Sequence, residues 1–272
     1  MYGTWPLAYA DGNVSEPLLD HLIRTACLAR CLFEDRALVL LRRWRRAWDP
    51  GYTLWLLGFL HDIGKASDGY RSSSTGKLSF PLHEYVSALI VYRCGDVMSE
   101  QEVDLGDLMK VLAKSIARHH VAMMDRDPIT IIESSLITSG RKCFEKISDY
   151  ISKVDESTLR SLLVEGLRDI PYSTLITESV LKALEKLKKS GQSFSQQALQ
   201  KLKVEKDSWV VGGLTGFLVL ADNVAANAFR RVSDDGFTPL YISIWMRELR
   251  DRLDRCSTCL TCLQGTVTGR EP

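Results

Sequence analysis

The chain has 272 residues, enough for one large domain or one domain with a small appendage. Charged residues make up 25% of it and hydrophobic residues 45%, the ordinary range for a soluble globular protein. The formal net charge of +1 excludes a global basic field for nucleic acid and leaves room only for a local patch.

Taken in chain order, Met1 to Pro6 carries neither a basic leader nor an apolar signal core. Ser15-Glu16-Pro17 reads as an N-cap with proline in the first turn. Leu18, Leu19, Leu22, Ile23, Ala26 and Leu28 follow at helical spacing. A second helix is expected over Glu34–Trp48, stopped by Pro50-Gly51. A third runs from about Thr53 into His61-Asp62 and ends near Gly64. Residues 66–81, with Gly69, Ser72-Ser73-Ser74, Gly76 and Pro81, read as a loop.

Helical patterns resume at about 82–94, 102–120, 129–152, 156–168, 173–189, 195–204, 207–231 and 239–255, punctuated by Pro128, Pro171, Gly191 and Pro239. No alternating run is strong enough to propose a sheet, so the expected fold is an all-α bundle over residues 1–255. Residues 256–272 are expected to form a loose, cysteine-containing tail. No apolar run reaches the roughly 18–20 residues that span a bilayer: Thr53–Leu60 is too short, and the run Leu214–Leu220 stops at Asp222. A cytoplasmic location follows as an expectation. Seven cysteines without a small-domain framework suit a reducing compartment.

The five histidines are His21, His61, His83, His119 and His120, and each falls within or at the end of a predicted helix. His61 is followed by Asp62 and His119 by His120. Adjacent helical residues point about 100° apart, so such a pair reaches one site only from a helix end. Gly64 supplies that end for the first pair, and Val121–Pro128 supplies it for the second. Imidazole and carboxylate together suit borderline divalent metals such as manganese, iron, cobalt or nickel. A second carboxylate is needed to complete a cage, and Asp222 is the best candidate. It sits in the apolar helix Phe217–Asp222, where an unpaired carboxylate would be costly to bury. The competing reading is an aspartate facing solvent.

The order H…HD…H…HH…D resembles the HD phosphohydrolase superfamily, and more closely the HD nuclease of type I CRISPR–Cas systems in its stand-alone form without the fused helicase. The matching stretches are Asp20-His21, His61-Asp62-Ile63-Gly64-Lys65, His83-Glu84-Tyr85-Val86-Ser87-Ala88, Arg118-His119-His120 and Leu220-Ala221-Asp222. H-D-x-G-K is shared by many HD enzymes; the H-E-x-x-S-A element and the H-H pair in this order are more specific. The resemblance implies an HD-superfamily helical bundle with extra C-terminal helices. It also implies two divalent ions (manganese, nickel, cobalt, iron or magnesium), one held by His21, His61, Asp62 and Asp222. The other would be held by Asp62, His83, His119 and His120, with Asp62 bridging. Asn223 and Ala226 depart from the aromatic residue and the serine that the family often carries there.

The implied activity is cleavage of single-stranded DNA, with RNA also open, in CRISPR interference. The implied partners are a separate helicase subunit and the CRISPR RNA-guided surveillance complex, with no membrane involved. Two ions roughly 3.5–4 Å apart would activate a water and clamp the scissile phosphate. Asp62 would set their spacing, and Lys65 would steady a nonbridging oxygen or else face solvent at a helix end. Ser87 would bond a phosphate or a neighbouring group, or simply pack.

Arg42-Arg43-Trp44-Arg45-Arg46 is the one dense basic cluster. It reads as a solvated helix face or, through Arg45 and its neighbours, as a single-strand track. Lys182, Lys186, Lys188 and Lys189 read as a solvated amphipathic face. Cys256, Cys259 and Cys262 offer three thiols where structural zinc wants four ligands. The enzyme alternative is an HD-type nucleotide or cyclic-dinucleotide phosphodiesterase, although no GYP segment follows His120. A non-enzymatic HD bundle is disfavoured because no expected ligand is missing.

Overall fold

The structure is a computed structural model that describes residues 6–11, 14–44, 47–70, 78–120, 140–202 and 208–230. It opens with a feature the sequence did not announce. Strands β1 (Leu7–Asp11) and β2 (Val14–Pro17) pair antiparallel, with Tyr9 opposite Glu16 and Ala10 opposite Ser15. The expectation of no sheet is therefore corrected. The expected cap is corrected too: Ser15 and Glu16 lie in β2, and Pro17 occupies the N-cap without a side-chain hydrogen bond.

Helix α1 (Leu18–Arg43) is a single element of 26 residues where two helices were expected. The polar run Glu34-Asp35-Arg36 resembles a break, but Phe33, Ala37 and Leu41 are all buried and carry the apolar stripe across it. Helix α2 (Pro50–Leu60) starts at Asp49, whose Oδ1 accepts from the Tyr52 amide at 2.6 Å, with Pro50 in the first turn. Eight of its residues are buried, so it is a central helix rather than a surface one. At Gly58 an added Cβ would lie 2.6 Å from Ala26 Cα, so only glycine allows α1 and α2 to approach this closely.

Two short 3₁₀ turns, Ile63–Ala66 and Asp68–Tyr70, follow α2. The remaining described helices are α3 (His83–Met98), α4 (Val103–Ile116), α5 (Gly140–Ser152), α6 (Glu156–Gly166), α7 (Ser173–Lys201) and α8 (Ser208–Arg230). Helix α7 joins the two expected segments 173–189 and 195–204 by running straight past Gly191, a residue that costs about 1 kcal/mol inside a helix without ending it. α1 packs on α2 and α8, α3 on α4 and α7, and α5 and α6 on α7. The fold is all-α, with the hairpin the only sheet among the described residues.

Within α8, Trp209–Asn227 is long and apolar enough to cross a membrane by length and composition. Some 67% of that stretch is buried inside the bundle against its neighbours, as in a core helix. Cys27 and Cys31 are disulfide-bonded, against the expectation of reduced thiols, while Cys94 is a buried free thiol. Arg45, the helix expected at 239–255 and the trio Cys256, Cys259 and Cys262 lie outside the described residues.

Candidate metal centre

The chain brings His21, His61, Asp62, His83, His119, His120 and Asp222 together, all but Asp222 from a helix terminus or the turn beside it. His21 stands in the first turn of α1, and His61-Asp62 follow the last residue of α2. His83 opens α3, and His119-His120 lie just beyond α4. Asp222 comes from the body of α8. The adjacent pairs therefore escape the 100° divergence of a continuous helix, as their places at helix ends predict.

Two ligand groups face one another. His21, His61 and Asp222 form one, and Asp62, His83, His119 and His120 form the other; within each group the ligand atoms lie within 4.8 Å of one another. The Asp62 carboxylate divides between them. Its Oδ2 is 3.3 Å from His61 Nε2 and 3.7 Å from His21 Nε2. Its Oδ1 is 3.1 Å from His83 Nε2 and 3.6 Å from His119 Nε2. Asp222 Oδ1 closes the first group, at 3.1 Å from His21 Nε2 and 3.7 Å from His61 Nε2. His120 Nε2 closes the second, at 2.9 Å from His83 Nε2.

The rings are held by their far sides. His61 Nδ1 meets the Gly58 carbonyl at 2.7 Å and His119 Nδ1 the Ile116 carbonyl at 2.6 Å, while His83 Nδ1 contacts the Phe80 carbonyl. A carbonyl can only accept, so Nδ1 carries the proton and the Nε2 lone pair is left for the site. Immediately before His83, Leu82 takes a left-handed conformation at φ 65°, an uncommon cost for a leucine that sets the entry of α3.

Gly64 has an equally local reason. Its amide donates to Ser87 Oγ at 2.9 Å, and an added Cβ would lie 2.7 Å from the His83 carbonyl oxygen. The turn after His61-Asp62 is thus pressed directly onto α3. Ser87 is fully buried behind that turn with its hydroxyl engaged there.

Do these residues suit a metal? His21 Nε2, His61 Nε2, Asp62 Oδ1 and His119 Nε2 are buried without a hydrogen-bond partner. Unpaired buried polar atoms cost about 1–3 kcal/mol each, and four aimed at shared points are what a bound cation would satisfy. The nitrogen-rich, carboxylate-bridged donor set fits borderline divalent ions.

The electrostatics agree. Burial works against a charge on His61, but Asp62 and Asp222 outweigh it and push its pKa up to about 10. His21 is also raised against burial, by Asp222 and Glu16. Burial would raise Asp62 and Asp222, yet both are held well below the usual carboxylate range, Asp62 by His61, Lys65 and His83 and Asp222 by His21 and His61. Burial, with His119 and His83 beside it, pushes His120 down to about 2, so its ring is neutral throughout the ordinary pH range.

Lys65 is not a solvent-facing lysine. It is 9% exposed, its Nζ 2.5 Å from Asp62 Oδ2, 3.4 Å from the Ala8 carbonyl and 5.1 Å from the Phe80 ring centroid. His61 and His119 are fully enclosed, whereas half-buried His120, Asp222 and Lys65 lie nearer the solvent and mark the mouth. Arg42 and Arg43 stand exposed in the last turn of α1, some twenty residues beyond His21, and about 30 Å away at 1.5 Å per residue.

Sequence reasoning missed two contributors, Glu16 and Arg24. Glu16 Oε1 lies 2.6 Å from Arg24 Nη1 and 3.4 Å from His21 Nδ1. Their only sequence signal, an acid one residue before and a base two turns after the Pro17 boundary, is indistinguishable from ordinary helix-end charge.

A family model described as HD domain matches residues 18–152, about half of the chain. The match takes in the first six ligands and leaves out the hairpin and Asp222. Comparison with curated proteins and with solved structures gave no match. The chain therefore carries an HD domain, a type that is typically a metal-dependent hydrolase.

Proposed function

We propose that this HD-domain chain is a two-metal phosphodiesterase, and specifically a nuclease that cuts single-stranded DNA in CRISPR interference. The observation that carries the metal half is the split Asp62 carboxylate, one oxygen facing each of two groups of clustered side chains, with the Nε2 atoms of His21, His61 and His119 buried and unpaired. His21, His61 and Asp222 would hold one ion and His83, His119 and His120 the other, with Asp62 shared. Bound there, such ions supply Lewis acidity and an activated water for phosphoester hydrolysis.

The chain's own residues do the rest. Backbone carbonyls fix three ring orientations before any ligand arrives, which spares reorganisation during the reaction. Lys65 sits at the mouth beside Asp62, placed to neutralise a nonbridging phosphate oxygen. Helix walls around His61 and His119 keep water from the inner side and lower the local dielectric, so each of these charges acts more strongly than in water.

The nuclease half is supported by the resemblance of H-D-x-G-K, H-E-x-x-S-A and H-H in this order to stand-alone CRISPR-associated HD nucleases. On that reading the partners are a separate helicase subunit, which would deliver single-stranded DNA, and the RNA-guided surveillance complex. Arg42 and Arg43 lie too far from the mouth to touch the reacting phosphate, so their contribution would be to hold a strand that runs along α1.

One panel tests both halves: linear single-stranded DNA, duplex DNA, cyclic dinucleotides and free nucleotides, each with manganese or with chelator. Single-stranded DNA is expected to be cut with manganese and spared with chelator. Cyclic dinucleotides as the only good substrate would overturn the nuclease and leave the phosphodiesterase.

A further inference from the structure

Three of the ligand histidines lean on a neutral backbone carbonyl three residues earlier: Gly58 for His61, Phe80 for His83 and Ile116 for His119. His21 has no such support. It stands in the first turn of α1, and its Nδ1 faces the Glu16 carboxylate instead, at 3.4 Å in an oblique charge contact rather than an aligned hydrogen bond.

Glu16 is an unusual residue to find here. It lies in a two-stranded hairpin, where side chains ordinarily reach solvent on one face, yet it is fully buried. Arg24 reaches one oxygen at 2.6 Å; the other, Oε2, is buried without a hydrogen-bond partner. Enclosing a carboxylate costs several kcal/mol, and a buried ion pair can often be replaced by apolar residues at no loss of stability. Stability alone is therefore a poor reason for this pair. Its position behind a ligand histidine is a better one, because carboxylates there fix the tautomer and raise the basicity of the ring. The same hairpin also reaches the site a second time, through the Ala8 carbonyl that accepts from Lys65.

We propose that Glu16, anchored by Arg24, is a positioning residue for His21: its carboxylate holds the proton on Nδ1 so that the Nε2 lone pair is presented, beside Asp222 Oδ1, to a divalent ion. This rests on the metal reading above. It makes the N-terminal hairpin, which precedes the matched HD domain at residue 18, part of the metal centre. It also makes the two ligand groups unequal, since a full negative charge backs one histidine of the first group and backbone carbonyls back His83 and His119 in the second.

The test is manganese binding to the full chain by calorimetric titration, in wild type and in Glu16→Gln, with thermal melting in chelator as the folding control. Two ions are expected on wild type. Glu16→Gln should bind one of them about 10–100-fold more weakly and the other unchanged, and Glu16→Asp should recover part of the loss. In a His21→Gln background the further change Glu16→Gln should have less than about a twofold effect, because the ring it acts through is gone.

Should Glu16→Gln fail to fold, ring-nitrogen chemical shifts of His21 in the wild-type chain decide the matter, with a proton on Nδ1 expected. A proton on Nε2 with none on Nδ1 overturns the proposal, as does equal loading of wild type and Glu16→Gln. Wild-type protein that takes up no divalent ion at all overturns the metal reading itself, a separate and recognisable failure.

Discussion

Helix α2 joins two ends of the bundle that treat polar groups in opposite ways. At its start, Asp49 caps the helix and Trp55 Nε1 donates to the Gly166 carbonyl at 3.3 Å, around a cavity of about 560 Å³ lined by Trp48, Tyr52, Trp55 and Tyr172. At its finish, His61 and Asp62 enter a cluster in which four buried ligand atoms have no hydrogen-bond partner. One end is an ordinary aromatic concavity, where the Tyr52 hydroxyl is one exception. The other gathers its exceptions at one place. A single unpaired group is a small local cost, whereas several converging on a point describe a ligand.

The sharpest way to break that contrast is Asp62→Asn. It is expected to reduce hydrolysis to background and abolish paired loading, while the bundle still melts cooperatively by circular dichroism. Undiminished turnover in the folded variant would sink the two-metal assignment.

Next comes pH, read as the melting temperature of metal-free protein. His61, raised from 6.5 to about 10, stabilises fully below 6.5 and loses its contribution as pH rises through about 10. Asp222, depressed from 3.8, stabilises above 3.8 and loses its contribution as pH falls well below that value. Both contributions coexist between 3.8 and 6.5, so melting should peak there and decline toward alkaline pH. His61→Gln should weaken the alkaline decline, leaving the smaller part that comes from His21.

Smaller effects belong to the other end. Asp49→Ala should cost about 1 kcal/mol through the lost cap, measured by urea denaturation, with manganese loading untouched. Tyr52→Phe removes a buried hydroxyl that has no partner, and should shift stability by no more than about 0.5 kcal/mol or raise it slightly. Removing a buried oxygen would then be silent at one end, while exchanging one for an amide nitrogen would be fatal to activity at the other.

The metal end was legible because its signal is chemical. Adjacent His-Asp and His-His pairs at helix ends, and an aspartate in an apolar helix, are unusual in any fold, and the seven residues lie together in two groups that could hold a metal ion. The hairpin was not legible because its alternation is broken. A register irregularity between Leu7 and Tyr9 leaves both Leu7 and Ala8 buried, so the period of two that marks a strand is lost within five residues. Glu16, beside Pro17, resembled a helix-start acid for the same reason: local composition cannot tell which side of a boundary folds inward. The length of α1 was obscured by charges at 34–36 that lie on its outer face, where they interrupt nothing.

On the two-metal reading, Gly64 has a consequence for which ions the cage would accept. With its backbone seated against α3 and no space for even a methyl group, the turn carrying Asp62 cannot slide away from His83. The spacing of Asp62 and His83 within the second group is thus set when the chain folds. A cage of fixed aperture selects by size and by donor type, and it does not stretch to suit its guest. Calcium, which wants six to eight oxygens at about 2.3–2.6 Å, would find too few oxygens and no room to recruit more.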